Sequence, residues 1–287
     1  ESAKKGVAWK TPIEDEGHST PVIGGDKFCF TASTTDGKKN YLYGIDRNDG
    51  KIVHHKLMWE NPEPEPLGNP INNYAAPSCV LEADALYVHF GTYGTARVNP
   101  ANGEIVWQRR DIKCRHFRGP GASPLLFENL LILSFDGIEN DQFTVALDKA
   151  TGKDVWRNKR STTDYGDLDK EGKPTREGDM RKAFDTPSIM MVNGKPQLLS
   201  AASRAAFGYD PFTGKEIWTF AHMGYNAAVR PMSKGDIAYI NGGKELMAIK
   251  VDASTTGKVT DKILWTRDKH NAGFSSTVLI GDHIYQA

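Results

Sequence analysis

Three observations predict an all-β chain of four-stranded antiparallel blades, a β-propeller. First, a segment of pattern small-x-Asp-x-x-x-Gly-x-x-x-Trp recurs. It reads ALDKATGKDVW over 146–156 and GYDPFTGKEIW over 208–218, with looser copies RVNPANGEIVW ending at Trp107 and GIDRNDGKIVH ending at His54. A fifth copy with a longer turn, AIKVDASTTGKVTDKILW, ends at Trp265. Second, the motif glycines Gly50, Gly103, Gly152, Gly214 and Gly257 stand 53, 49, 62 and 43 residues apart, close to the roughly 40–50 residues of a propeller blade. Third, upstream of each copy lie two short apolar runs around a tight turn, in most copies led by Ser/Thr-Pro, as in TPVIGGDKFCFTA from Thr20 and SPLLFENLLILS from Ser123. β-rich runs separated by Gly-Asp, Glu-Asn or Asn-Gly are hairpins.

Each blade follows from these parts. The hairpin supplies strands one and two, and the motif supplies strand three, a glycine turn and strand four. Thr144–Leu147 and Asp154–Arg157 are then strands three and four of one blade. Gly103, Gly152 and Gly214 provide the backbone freedom the turn requires. Asp46, Asp148 and Asp210 accept hydrogen bonds from turn amides in Asx turns. Trp107, Trp156, Trp218 and Trp265 are expected between neighbouring blades, where a flat aromatic buries most area. The blades are expected over 20–58, 75–110, 122–161, 185–222 and 229–268 within a single domain, 1–287. A partial blade is expected from strands at 275–287 joined by an outer strand at 6–12, with Trp9 in the motif position. From these incomplete ends the residues are expected to be a piece of a longer chain, the alternative being a compressed six-bladed ring if they fold alone.

Composition narrows function by exclusion. Lys+Arg and Asp+Glu are both 36, for a formal net charge of zero. No basic excess favours nucleic acid or anionic lipid, and no apolar run approaches the about 20 residues of a spanning helix. The cysteines Cys29, Cys79 and Cys114 are odd in number and form no C-x-x-C or Cys/His cluster, so neither a disulfide framework nor a metal centre is expected. Cys29 and Cys79 alternate with apolar neighbours and are expected as buried thiols. The acidic stretch 161–180, with Asp164, Asp167, Asp169 and Glu171, lacks the glycine and terminal glutamate of an EF-hand loop and is expected as a solvated insertion. The Pro-rich stretch 60–73 is expected as an extended interblade loop.

The loops that enter the first strands of propeller blades gather at one channel mouth, the natural ligand position. In this chain they carry His18; Asn72, Asn73 and Tyr74; Arg115, His116 and Arg118; Arg181, Lys182 and Asp185; Tyr225, Asn226 and Arg230; and His270 and Asn271. Loops leaving second strands add Tyr93, Asp136 and Asp141. Such a cationic, histidine-containing mouth suits an anionic or polyol ligand. The competing reading is a set of mutually paired Arg and Asp that closes the channel. The candidate mouth is His18, Asn73, Arg115, His116, Arg118, Asp136, Lys182, Asp185, Arg230 and His270.

The motif copies resemble the pyrroloquinoline-quinone-type β-propeller repeat. VAWKTP, HFGTYGTARV, GPGASPLL and FDTPSIM further resemble exported propellers abundant in planctomycete-type bacteria. The resemblance implies an eight-bladed parent and export to the periplasm or cell envelope. Related quinone dehydrogenases combine a tryptophan floor, a calcium or lanthanide, a catalytic aspartate and, in many, two adjacent cysteines. Here no two cysteines are adjacent, five of the six tryptophans belong to blade motifs, and Trp59 follows an outer strand away from the expected channel. No catalytic, cofactor or metal residue is therefore assigned, and no quinone or calcium is expected. The leading reading is a non-catalytic binding or scaffold propeller. The alternative is a quinone dehydrogenase or a polysaccharide-active enzyme using the His/Arg mouth.

Overall fold

The computed structural model describes residues 5–68, 70–139, 142–269 and 273–286. The chain divides into two compact units, residues 1–113 with 118–124, and residues 114–117 with 125–287.

The first unit contains two sheets. One is β1 (Val22–Gly24), β2 (Lys27–Ser33), β3 (Lys39–Asp46) and β4 (Ile52–Glu60); the other is β5 (Val80–Glu82), β6 (Ala85–His89), β7 (Thr95–Val98) and β8 (Ile105–Arg109). The second unit contains β9 (Leu125–Phe127), β10 (Leu130–Phe135), β11 (Phe143–Asp148) and β12 (Asp154–Lys159). Next come β13 (Ser188–Val192), β14 (Lys195–Ala201), β15 (Ala205–Tyr209) and β16 (Glu216–Ala221). A further sheet joins β17 (Met232–Lys234), β18 (Ile237–Asn241), β19 (Leu246–Lys250) and β21 (Ile263–Arg267). Between β19 and β21 the chain makes β20 (Gly257–Val259), and β22 (Val278–Ile280) and β23 (His283–Tyr285) form a hairpin. Every blade is an antiparallel meander in chain order.

The repeat is visible at the level of single hydrogen bonds. Asp46, Asn99, Asp148, Asp210 and Asp252 each present Oδ1 to a backbone N–H two or three residues on, at 2.7–2.9 Å. In four of the turns the motif glycine N–H donates to the carbonyl of that same residue, and its φ lies between 71° and 74°. A left-handed backbone of this kind penalises any residue with a Cβ. Five blades also share one β-bulge, immediately after the residue opposite the motif's last position: Gly44/Ile45, Arg97/Val98, Ala146/Leu147, Gly208/Tyr209 and Ala248/Ile249.

The motif tryptophans are equivalent in the ladder, opposite Arg97, Ala146, Gly208 and Ala248, but their indoles go to different places. Trp156 docks on the glycine turn of the next blade. Its Nε1 donates to the Pro211 carbonyl at 2.9 Å, and a Cβ at Gly214 would stand 2.5 Å from its Cε3. Trp9 repeats this on Gly50, with Nε1 to the Arg47 carbonyl at 3.0 Å, although residues 6–12 form no strand. The expected outer strand at 6–12 is thus replaced by an irregular segment that keeps only the indole's role. In the first blade, which ends its repeat in His54, the Lys56 stem covers Gly103 instead.

Trp218 departs from the interblade expectation. It lies over Gly208 of its own blade, with Nε1 donating to Gln197 Oε1 at 2.9 Å. The cause is the longer turn of the following repeat. It places Gly257 in β20, which pairs in parallel with β16 across Trp218–Phe220, so no glycine turn is offered to the indole. Trp265 is 41% exposed, and Trp107 is half-buried near the Tyr87 ring. Trp59, read as lying after an outer strand, is instead inside β4. It is buried edge-on to Phe90, covers Gly94, and donates to Gln108 Oε1 at 2.6 Å.

The core of the second unit runs through consecutive blades, from Leu130, Ile132 and Trp156 to Leu198, Phe207 and Trp218 and on to Ile240, Met247 and Ile249. In the first unit, Leu42, Trp59, Cys79, Leu86, Phe90 and Val98 form the core. Cys29 and Cys79 are buried free thiols, and burial raises both above the ordinary thiol range.

Candidate functional site

Four of the ten candidate mouth residues come together in the second unit, in a buried polar cluster with Arg160 and Ser200. Arg160 follows β12 directly and turns its guanidinium inward. It donates through Nε to Asp136 Oδ1 at 2.5 Å, through Nη2 to Asp136 Oδ2 at 2.7 Å, and through both Nη groups to Ser200 Oγ at 3.1 and 3.2 Å. This fork is the strong planar arrangement for arginine and carboxylate. Both side chains are almost fully buried, and the guanidinium also lies 5.3 Å from the centre of the Phe207 ring. Asp185, just before β13, accepts Ala201 N–H at 2.5 Å and Ser200 Oγ at 3.4 Å through Oδ2, while Oδ1 has no partner. Burial pushes the Asp185 carboxyl up to about 8; nearby Asp136 adds to this and Arg160 opposes it. Asp185 is therefore a neutral acid near neutral pH, as an unpaired buried oxygen demands.

Lys182 Nζ donates to the Asp136 carbonyl at 2.7 Å and approaches His116 Nδ1 at 3.5 Å, over the Phe184 ring at 4.6 Å. His116 is buried, with its ring stacked toward Phe135. Tyr209 is buried beside Arg160, and desolvation raises its hydroxyl.

The other candidates lie elsewhere. Arg115 is exposed and pairs with Glu139 at 3.3 Å, and Arg230 is exposed. In the first unit, His18 is exposed and Asn73 is buried, closing an Asx turn onto Ala75 N–H. Arg118 there donates to the Gly68 carbonyl at 3.3 Å. His270 lies outside the described residues, as do Asp141 and Asn271. Of the residues the loop pattern did not single out, Arg160 and Ser200 matter most. The signal for Ser200 was a hydroxyl on a face of β14 otherwise apolar, after Pro196 and Leu198, whereas Arg160, one residue past β12, follows Asp154, Trp156 and Asn158 and carried no such signal.

The acidic insertion is largely solvent-exposed, Asp164, Asp169 and Glu171 included, as expected, but two of its side chains anchor it to the blade. Asp167 is buried in an ion pair with Arg181 Nε at 2.7 Å, and buried Tyr165 donates to Gln142 Oε1 at 3.0 Å. Asp164 caps Gly166 N–H, and Asp169 accepts Glu171 and Lys173 N–H. These carboxylates serve the loop's own backbone, and no group of three His, Cys, Asp or Glu among the described residues is arranged for a metal.

The family model described as outer membrane protein assembly factor BamB matches residues 1–113 and 140–280. The chain belongs to this family. Solved structures agree on the fold. The chain is similar to BamB from Moraxella catarrhalis at 12% identity, with TM-score 0.63 over 97% of this chain and 72% of that one. It is similar to a europium-containing methanol dehydrogenase at 10% identity, TM-score 0.61, over 91% of this chain and 52% of that one. It is also similar to quinohemoprotein alcohol dehydrogenase from Comamonas testosteroni at 13% identity, TM-score 0.58, over 91% of this chain and 44% of that one. The chain thus spans about half the length of these dehydrogenases. A search of curated proteins by sequence found no match. The β-propeller read from the repeats is the fold of this chain.

The dehydrogenase likeness raises the question of a quinone with its metal. The indoles of Trp9, Trp156, Trp218 and Trp59 are each engaged in packing and a hydrogen bond that fix their place in a blade. The carboxylate of Asp136 is held by Arg160. These four indoles and this carboxylate are therefore already committed to packing and pairing within the blades.

Proposed function

We propose that the protein is an exported, non-catalytic propeller that binds protein partners through its channel mouth and interblade loops. The observation that supports this is the self-paired state of the buried polar cluster. Asp136, the best-placed carboxylate, spends both oxygens on Arg160, and Lys182 is anchored on the Asp136 carbonyl. A catalytic acid or base needs hydrogen-bond access to a substrate proton, and these groups face one another. Arg115, paired with Glu139, and Arg230 both lie at the exposed surface, where a partner would meet them. Among the described residues no helix is long and apolar enough to cross a membrane. Family membership supports a place at the cell envelope.

The test is site-specific photo-cross-linking in cells at Arg115 and Arg230, with the buried position Leu198 as control. Discrete protein adducts at the two exposed positions are expected, and their absence would refute the binding role. The enzyme alternative predicts dye-linked alcohol or sugar oxidation after adding pyrroloquinoline quinone and calcium. We expect none, and activity that survives dialysis would establish the alternative.

A further inference from the structure

Outside the buried cluster, the second unit holds a cleft of about 360 Å³ on the rim of the blade β13–β16. Its lining includes residues 161–164, which leave the preceding blade, and Thr219 and Ala221 of β16. Residues 258–260, at and after β20, complete it. Alternate residues of a strand show a face, so Thr219 and Ala221 form a floor. The runs 161–164 and 258–260 line the cleft with consecutive residues, and so with backbone as well as side chains. β20 is the edge strand of its sheet, paired with β16 on one side. An unpaired edge offers N–H and C=O groups to an incoming strand. β16 has already taken up one extended segment in this way.

Three side chains give the cleft a sign. Arg204 and Lys258 line it, against the single carboxylate Asp164, which is engaged with Gly166 N–H. Arg204 has φ of 65°, a left-handed conformation rare for a residue with a Cβ. The strain is held by Arg204 N–H to the Gly224 carbonyl at 2.9 Å and His222 N–H to the Arg204 carbonyl at 3.0 Å. Strain of this kind persists only where the surroundings over-determine it. His222 is buried, and its Nδ1 accepts Gly224 N–H at 3.2 Å. Burial drives its pKa down to about 4, so the ring is neutral and Nε2 carries the hydrogen. That nitrogen is buried, and the Ala205 backbone is the neighbour that favours its protonated ring.

We propose that this cleft receives an extended peptide segment bearing a carboxylate side chain, which adds to the free edge of β20 and places its carboxylate between Arg204 and Lys258. This rests on the protein-binding reading above and names the chemistry of one partner segment. Backbone pairing supplies affinity in strand addition, and the alternate side chains supply choice.

The experiment uses the full chain and a fluorescein-labelled peptide of alternating glutamate and valine, followed by anisotropy. Saturable binding is expected. It should weaken at least tenfold with glutamine in place of glutamate, and equally with backbone amides N-methylated at alternate residues. Arg204→Gly keeps the left-handed backbone while deleting the guanidinium, so it separates recognition from folding. Combined with Lys258→Ala, it should lose binding at least tenfold with an unchanged melting temperature. No binding to the parent peptide, equal binding of the glutamine or methylated peptides, or undiminished binding by the double variant would each overturn the assignment. If cross-linked partners at Arg115 and Arg230 persist alongside such a result, the cleft assignment alone falls. Loss of those adducts with intact peptide binding would instead remove the mouth and leave the cleft.

Discussion

Truncating Trp156 to alanine tests the docking of one blade's indole on the next blade's glycine turn. The side chain is 8% exposed, packs on Gly214 and donates to the Pro211 carbonyl at 2.9 Å. Removing a buried aromatic costs about 3–5 kcal/mol through lost burial and the cavity left behind. The orphaned Pro211 carbonyl adds about 1 kcal/mol where water does not replace the indole. Trp265→Ala is the control. At 41% exposure it should cost about 1 kcal/mol or less. The contact has a second side. Gly214→Ala would place a Cβ 2.5 Å from Trp156 Cε3 on a backbone of φ 71°, so it pays both a clash and a conformational penalty of about 1 kcal/mol. In the double variant the clash disappears, because the indole is gone, and only the conformational part remains. Urea unfolding of the two single variants and the double variant should therefore give a coupling well above the about 0.5 kcal/mol expected of independent sites. Additive costs, or equal costs for Trp156→Ala and Trp265→Ala, would refute the docking.

Further predictions concern the buried cluster. The raised carboxyl of Asp185 means that between its unfolded pKa near 4 and its folded value of about 8 the native state keeps a proton that the unfolded chain has released. Stability relative to Asp185→Asn should fall as pH rises through that window, at about 1.4 kcal/mol per pH unit. Thermal melts of both proteins from pH 5 to 9 check it, and parallel curves would place Asp185 in contact with solvent. Asp136→Asn should cost about 3–5 kcal/mol by leaving Arg160 buried without its counter-charge. The paired change Asp136→Leu with Arg160→Met should recover much of that loss in the same unfolding assay, and no recovery would mean the pair holds more than its own charges. Cys79 should resist thiol reagents in the native protein and react on unfolding, because burial raises its thiol and hides it.

The blade plan was legible because it is written in local chemistry. The Asx residue and the glycine four residues later are demanded by one turn, so the motif locates β3–β4, β7–β8, β11–β12 and β15–β16 without tertiary information. The shared bulge was invisible, because it adds no distinctive residue. The fate of Trp218 was hidden for another reason. It depends on where the next repeat sends its longer turn, and parallel pairing of β20 leaves no local mark. The mouth was partly legible. Polar loops before first strands did contain His116, Lys182 and Asp185, but which of them meet was decided by burial. Arg160 lay outside the loops considered, one residue past an outer strand. Likewise Asp167 read as a solvated acid, since a buried partner fourteen residues away, Arg181, has no sequence signature.

β20 gives two consecutive blades a shared fate. A segment that belongs in sequence to the fifth blade is hydrogen-bonded into the fourth, lying along Trp218–Phe220. Each blade of a linear repeat can ordinarily open with only its neighbour interface as the barrier. Here, peeling β17–β19 and β21 away also drags a strand off β16 and uncovers Val259, which sits in the common core. These two blades are therefore expected to exchange their amide hydrogens as one cooperative unit, which native-state hydrogen exchange would read. A protease that nicks the 251–262 turn would release them from each other without touching a single contact between their sheets.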